Sequence, residues 1–137
     1  MIPLVEREKL LINIQDEILK GGICVQDWTT FQLENAYLAF CAGADLACIL
    51  MCQASIESFI RDDENLKDSS FYDLIEHSSF DEEFKLRLHK LRAYRNKWVH
   101  INEQGDRDLN IDYKELEEMA IFSYRLTLEV FHYYPFI

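Results

Sequence analysis

Very little in this sequence can interrupt a helix, and that limits the folds open to it more than any other feature. Both prolines, Pro3 and Pro135, lie near the ends, and the four glycines are Gly21, Gly22, Gly43 and Gly105. So few breakers favour an all-α domain. With 137 residues, 49% of them hydrophobic and 13% aromatic, the chain can bury a real core and is not a disordered segment. No linker or internal repeat divides it, so residues 1–137 read as one domain.

The first helix is expected over residues 4–20, with Leu4, Arg7, Leu11, Ile14 and Ile18 on one stripe and Gly21–Gly22 as its stop. A long second helix is expected over residues 31–61. Before its end it carries only Glu34, Asp45 and Glu57 as charges, which predicts the buried centre of the domain. Its small-residue face reads Ala36, Ala39, Gly43, Ala47, Leu50 and Ala54. A short helix near residues 69–75 follows. Another begins near Phe80, with Asp81, Glu82 and Glu83 where the macrodipole favours negative charge. Asp112 and Glu115 are spaced as a capping box for a last helix over residues 113–133.

Charge is the second constraint. Twenty-five acidic residues against 14 basic ones give a net charge of −11 and argue against indiscriminate binding to nucleic acid or anionic membrane. Yet residues 84–102 contain no Asp or Glu and hold Lys85, Arg87, Lys90, Arg92, Arg95 and Lys97. This is the one plausible polyanion site. The N-terminus is charged too early for a secretory core, and the uncharged run 35–44 is too short to cross a bilayer. A cytoplasmic, membrane-free protein is the expectation, and the cysteines do not form a disulfide framework. Cys41, Cys48 and Cys52 share a helical face, but small buried thiols are the reading preferred over a metal site.

The apolar stripe Phe84, Leu88, Leu91 and Trp98 places Arg95 where another apolar residue belongs. An inward-facing Arg needs a partner, and Glu57 and Asp45 on the buried helix are the internal candidates. The plain alternative is that Arg95 pairs with one of them while His100 only packs near a helix end.

Arg95-Asn96-Lys97-Trp98-Val99-His100, at the end of an amphipathic helix in a small all-α domain, resembles the motif of the HEPN superfamily: Arg, a polar residue, and His four to six residues after the Arg. The small-residue helix leading into residues 56–61 resembles the HEPN helix order as well. The resemblance implies a four- to five-helix bundle that forms a homodimer, bringing two Arg/His sets into one cleft. It implies a metal-independent endoribonuclease of a toxin–antitoxin, defence or stress system, without cofactor, acting on RNA and held in check by an antitoxin or other regulatory protein. His100 would be the acid/base on the ribose 2′-OH or the leaving oxygen, and Arg95 would stabilise the phosphorane charge. Asn96 would orient His100 or donate to phosphate. Lys90, Arg92 and Lys97 would track the backbone, and Tyr94 or Trp98 would stack on a base. Asn102 stands where some members carry a Tyr modified by an antitoxin, a departure from that form of control. The alternative function is a non-catalytic HEPN-like interaction domain or a nucleotide sensor.

Overall fold

The computed structural model describes residues 1–19, 25–68, 70–99 and 111–133, and among them the structure is all-α. Six helices follow in order: α1 (Leu4–Ile18), α2 (Asp27–Cys41), α3 (Asp45–Asp63), α4 (Phe71–His77), α5 (Glu82–Val99) and α6 (Tyr113–Phe131). They form a bundle centred on α3, which packs most extensively against α2 and α6 and also meets α4 and α5. Cys48, Ile49, Cys52 and Ile56 of α3 are fully buried there. None of the described helices is long and apolar enough to cross a membrane.

The principal departure from expectation is that residues 31–61 are not one helix. The chain turns back at Ala42-Gly43-Ala44, so α2 and α3 form a helical hairpin. Gly43 adopts φ +84°, in the left-handed region. The Gly43 N–H donates to the Phe40 carbonyl at 3.0 Å and the Ala44 N–H to the Ala39 carbonyl at 2.8 Å, the paired bonds of a Schellman stop. Asp45 then opens α3 with an acid in its first turn. The break was hard to see because Ala, Gly and Ala offer no polar punctuation, and Gly43 fits a small-residue face equally well. The hairpin also takes the helix count above the four or five expected.

The last helix is closer to expectation. Asp112 caps α6 by accepting the Glu115 N–H at 3.0 Å, whereas the Glu115 carboxylate reaches Lys97 at 3.4 Å. The Asp–Glu spacing therefore marks the start correctly, while the Glu bridges to α5.

One ionic cluster ties the bundle together. Arg7 of α1 is 1% exposed. Its Nη1 donates to Asp45 Oδ1 at 2.5 Å and to the Phe40 carbonyl at 3.0 Å, and its Nη2 donates to Glu117 Oε2 at 2.8 Å. The guanidinium lies 4.4 Å from the Phe40 ring centroid. The Ile2 N–H adds a bond to Glu117 Oε2 at 3.0 Å. One side chain thus joins α1, the end of α2, the start of α3 and α6. The hydrogen bond with Asp45 is the largest influence raising the Arg7 pKa, ahead of the opposing effect of burial.

Removing Arg7 leaves two carboxylates with no cation in a buried site. Arg7→Met should lower unfolding free energy by about 3–5 kcal/mol in urea titrations. A loss under ~1 kcal/mol would show that the cluster is not structurally dominant. Gly43→Ala should cost about 1–2 kcal/mol, because an L-residue is strained at this φ. Its Cβ would also stand 3.0 Å from Leu4 Cδ2, in a contact that side chain can relax.

Candidate functional site

Helix α5 carries the basic segment, and its start is set by charge and capping. The Asp81 side chain accepts the Phe84 N–H at 2.9 Å, and Glu82 and Glu83 occupy the first turn. Phe84, Leu88 and Leu91 bury the inward stripe. Beyond Leu91 the stripe emerges from the core: Arg95 and Trp98 continue it but are only partly buried. Arg95 therefore occupies the predicted face without entering the core.

The internal partners expected for Arg95 are committed elsewhere. Asp45 belongs to the Arg7 cluster. Glu57 pairs with Arg61, one turn on along α3, at 3.5 Å and accepts from Gln53 Nε2 at 3.0 Å. Arg95 Nη1 instead donates to the neighbouring Asn96 Oδ1 at 3.3 Å, and no acidic side chain among the described residues pairs with it. His100 follows the end of α5 and lies outside the described residues, as do Asn102 and Gly105.

The segment lacks acids in sequence but not in space. Helix α6 supplies Glu129 to Arg87 and Glu115 to Lys97, while Glu82 lies 3.8 Å from Lys85. Lys90, Arg92 and Arg95 have no carboxylate partner among the described residues. Lys90 Nζ sits 4.6 Å from the Phe122 ring centroid, and the Arg92 guanidinium 5.2 Å from that of Tyr72. The expected phosphate-tracking set of Lys90, Arg92 and Lys97 is thus uneven, with Lys97 already partly neutralised.

The aromatics expected to stack on a base are packed instead of free. Tyr94 and Trp98 meet edge to face with centroids 6.4 Å apart, and Lys97 lies over both rings. The Tyr94 hydroxyl and Trp98 Nε1 are buried without a hydrogen-bond partner. Burial, partly offset by the neighbouring Trp98 and reinforced by the Glu115 carboxylate, pushes the Tyr94 phenol up to about 12. A neutral phenol this firmly held contributes packing more than chemistry.

A second group on α5 escaped the sequence reading. Arg92 Nε donates to His89 Nδ1 at 3.2 Å, and His89 Nε2 stands 2.6 Å from Glu76 Oε1 on α4. Tyr72 lies against both, its ring centroid 5.0 Å from that of His89. The i, i+4 spacing of Tyr72 and Glu76 and the i, i+3 spacing of His89 and Arg92 are visible in sequence. That the two pairs meet depends on how α4 docks on α5.

Among the described residues no cluster of three or more His, Cys, Asp or Glu side chains could hold a metal ion. Cys48 and Cys52 are fully buried and Cys41 partly so. Interaction with Cys52, then burial, raises the Cys48 pKa well above the ordinary thiol value, which keeps it a protonated core residue. On the other side of the bundle, Gln15, Leu33, Glu34, Tyr37, Leu38 and Tyr124 line an open groove of about 380 Å³.

No protein-family model, curated protein or solved structure matches the chain. The functional reading therefore depends on the chemistry of α5 and its neighbours.

Because the Tyr94 hydroxyl is buried and unbonded, Tyr94→Phe should change unfolding free energy by less than about 0.5 kcal/mol, or raise it. The same substitution should delete a phenolate transition near 12 from the ultraviolet pH titration. As the folded-state pKa is raised, the contribution of Tyr94 is fully present below the ordinary phenol value and fades as pH climbs through 12. A loss above ~1 kcal/mol at neutral pH would mean the hydroxyl has a bonding partner.

Proposed function

We propose that this chain is a HEPN-like, metal-independent endoribonuclease in which Arg95 and His100 form the catalytic pair. The observation that carries the reading is the isolation of Arg95. In a protein with 25 acidic residues, Arg7, Arg61, Arg87 and Arg125 all have carboxylate partners. Arg92 and Arg95 have none among the described residues, but Arg92 is bonded to His89 one turn back, whereas Arg95 bonds only to its chain neighbour Asn96. A half-buried guanidinium left uncompensated amid such an acid excess suits an anionic ligand better than a structural ion pair.

In the proposed reaction His100 removes the proton from the ribose 2′-oxygen as that oxygen attacks phosphorus. Arg95 donates to the non-bridging oxygens, whose negative charge grows in the phosphorane. The P–O5′ bond breaks to give a 2′,3′-cyclic phosphate, the leaving 5′-oxygen taking a proton from water or from the second His100 of the dimer. Asn96, already bonded to Arg95, fixes the direction of its fork. A homodimer pairing two α5 ends would join two such sets in one cleft. A role in a toxin–antitoxin, defence or stress system, with a regulatory protein as partner, belongs to the same proposal.

A specific observation favours a second reading, a HEPN-like interaction domain. Trp28, Phe31 and Leu38 on α2 are more than half exposed, at 63%, 54% and 63%, and Leu38 borders the groove. Such an apolar helix face suits a protein contact.

The deciding experiment is cleavage of a labelled structured RNA in EDTA by the folded protein, with its association state measured in parallel. Arg95→Ala and His100→Ala should each lower the rate by roughly 10²–10⁴-fold while leaving the melting temperature close to wild type. Absence of cleavage by the wild-type protein under these conditions would favour the interaction domain.

A further inference from the structure

Arg92 differs from the other basic residues of α5 in how it is held. Its Nε is spent on His89 Nδ1, and its guanidinium rests against the Tyr72 ring. Since Nδ1 accepts that bond, the neutral His89 ring carries its proton on Nε2, facing Glu76 Oε1 at 2.6 Å. Glu76 thus orients His89, and His89 orients Arg92. What remains is the pair of terminal nitrogens, with four N–H donors that have no acceptor among the described residues. A fork fixed in direction with its donors unspent is suited to bidentate contact with phosphate oxygens.

The adjoining ring supplies the other half of a nucleotide. Tyr72 is 50% exposed, in contrast to the packed Tyr94 and Trp98. Arg92 and His89 are its ring neighbours, and the rest of the residue is exposed. Glu76 is the carboxylate in direct contact with the group, bonded to His89, and Lys85 Nζ donates to the Glu76 carbonyl at 3.0 Å. Arg92 also stands one helical turn before Arg95, at i and i+3, which places their Cβ atoms about 5–6 Å apart. Two guanidinium groups without a carboxylate partner among the described residues therefore succeed one another along α5.

We propose that Tyr72 and Arg92, positioned by His89 and Glu76, form a nucleotide subsite for single-stranded RNA next to the Arg95 centre. Arg92 holds the phosphate and Tyr72 stacks on the base of the same nucleotide. The subsite rests on the ribonuclease reading and adds to it the substrate class, a strand whose base is unstacked. Recognition through a ring face tolerates any base, so the subsite gives affinity and register without selecting sequence.

The test is fluorescence anisotropy of a labelled 2′-O-methyl oligouridylate, in EDTA, across a salt titration. Blocking the 2′-oxygen removes the nucleophile, so binding is read without cleavage. Tyr72→Ala should weaken binding roughly tenfold and leave the salt dependence unchanged. Arg92→Ala should weaken it and reduce the slope of log affinity against log salt by about 0.7, the value for one phosphate contact on a single strand. Arg92→Lys keeps the charge but loses the fork and the bond to His89; it should retain the slope while losing affinity. Thermal melting of each variant confirms that it is folded. Wild-type affinity in folded Tyr72→Ala and Arg92→Lys would overturn the subsite and leave the Arg95/His100 proposal standing. Failure of the wild-type protein to bind the oligonucleotide would overturn the subsite and count against the ribonuclease reading as well.

Discussion

The bundle depends on a buried cation shared by two carboxylates, Arg7 between Asp45 and Glu117. Its geometry couples elements far apart in sequence. Asp45 lies in the first turn of α3, just beyond the Gly43 reversal, and the Phe40 carbonyl comes from the last turn of α2. Arg7 can be satisfied only if the hairpin has closed and α6 is in place. A buried ionic cluster is a poor source of net stability compared with well-packed apolar residues, yet losing one partner is costly. Here it fixes which helix ends meet, and the apolar contacts of α3 provide the bulk of the burial.

That arrangement also positions the candidate site. Helix α3 holds α6 on one side and α5 on another, and α6 presents Glu115 and Glu129 to the basic helix. Helix α4 completes the other flank through Glu76 and Tyr72. The bases of α5 are thereby sorted into those already neutralised and those still available. Arg92 and Arg95 remain available one turn apart near the end of the helix, while Lys90 lies on the opposite flank against Phe122.

Legibility from sequence followed the range of the interactions involved. Features set within one or two turns were readable: the α1 stripe from Arg7 onward (though Leu4 at its head is exposed), the Asp112 cap and the amphipathic face of α5. Arg7 itself stood in the apolar stripe with Leu4, Leu11 and Ile14, the same anomaly that drew notice to Arg95. The two cases separate on burial. Arg7 lies mid-helix under other elements, whereas Arg95 comes after the core has thinned, so only the first was forced to find acids. The hairpin was missed because its sole marker, Gly43, sits among alanines. Pairings such as Glu76 with His89 or Glu129 with Arg87 were not readable, since they depend on docking between helices.

An acidic protein that binds RNA must confine its attraction to a small area. At a net charge of −11, a strand approaching most of the surface is repelled once it comes within about a Debye length, beyond which salt screens the interaction. So few available cations cannot supply the affinity of a broad basic face. Contacts that do not depend on net charge, such as ring stacking and oriented forks, then carry more of the binding. Selectivity follows from the same limit. A duplex keeps its bases stacked and offers only its backbone, which the acidic surroundings disfavour. A single strand can present a phosphate to Arg92 and a base to Tyr72 together. The acid excess, at first sight an objection to RNA binding, would then favour flexible strands over helical ones.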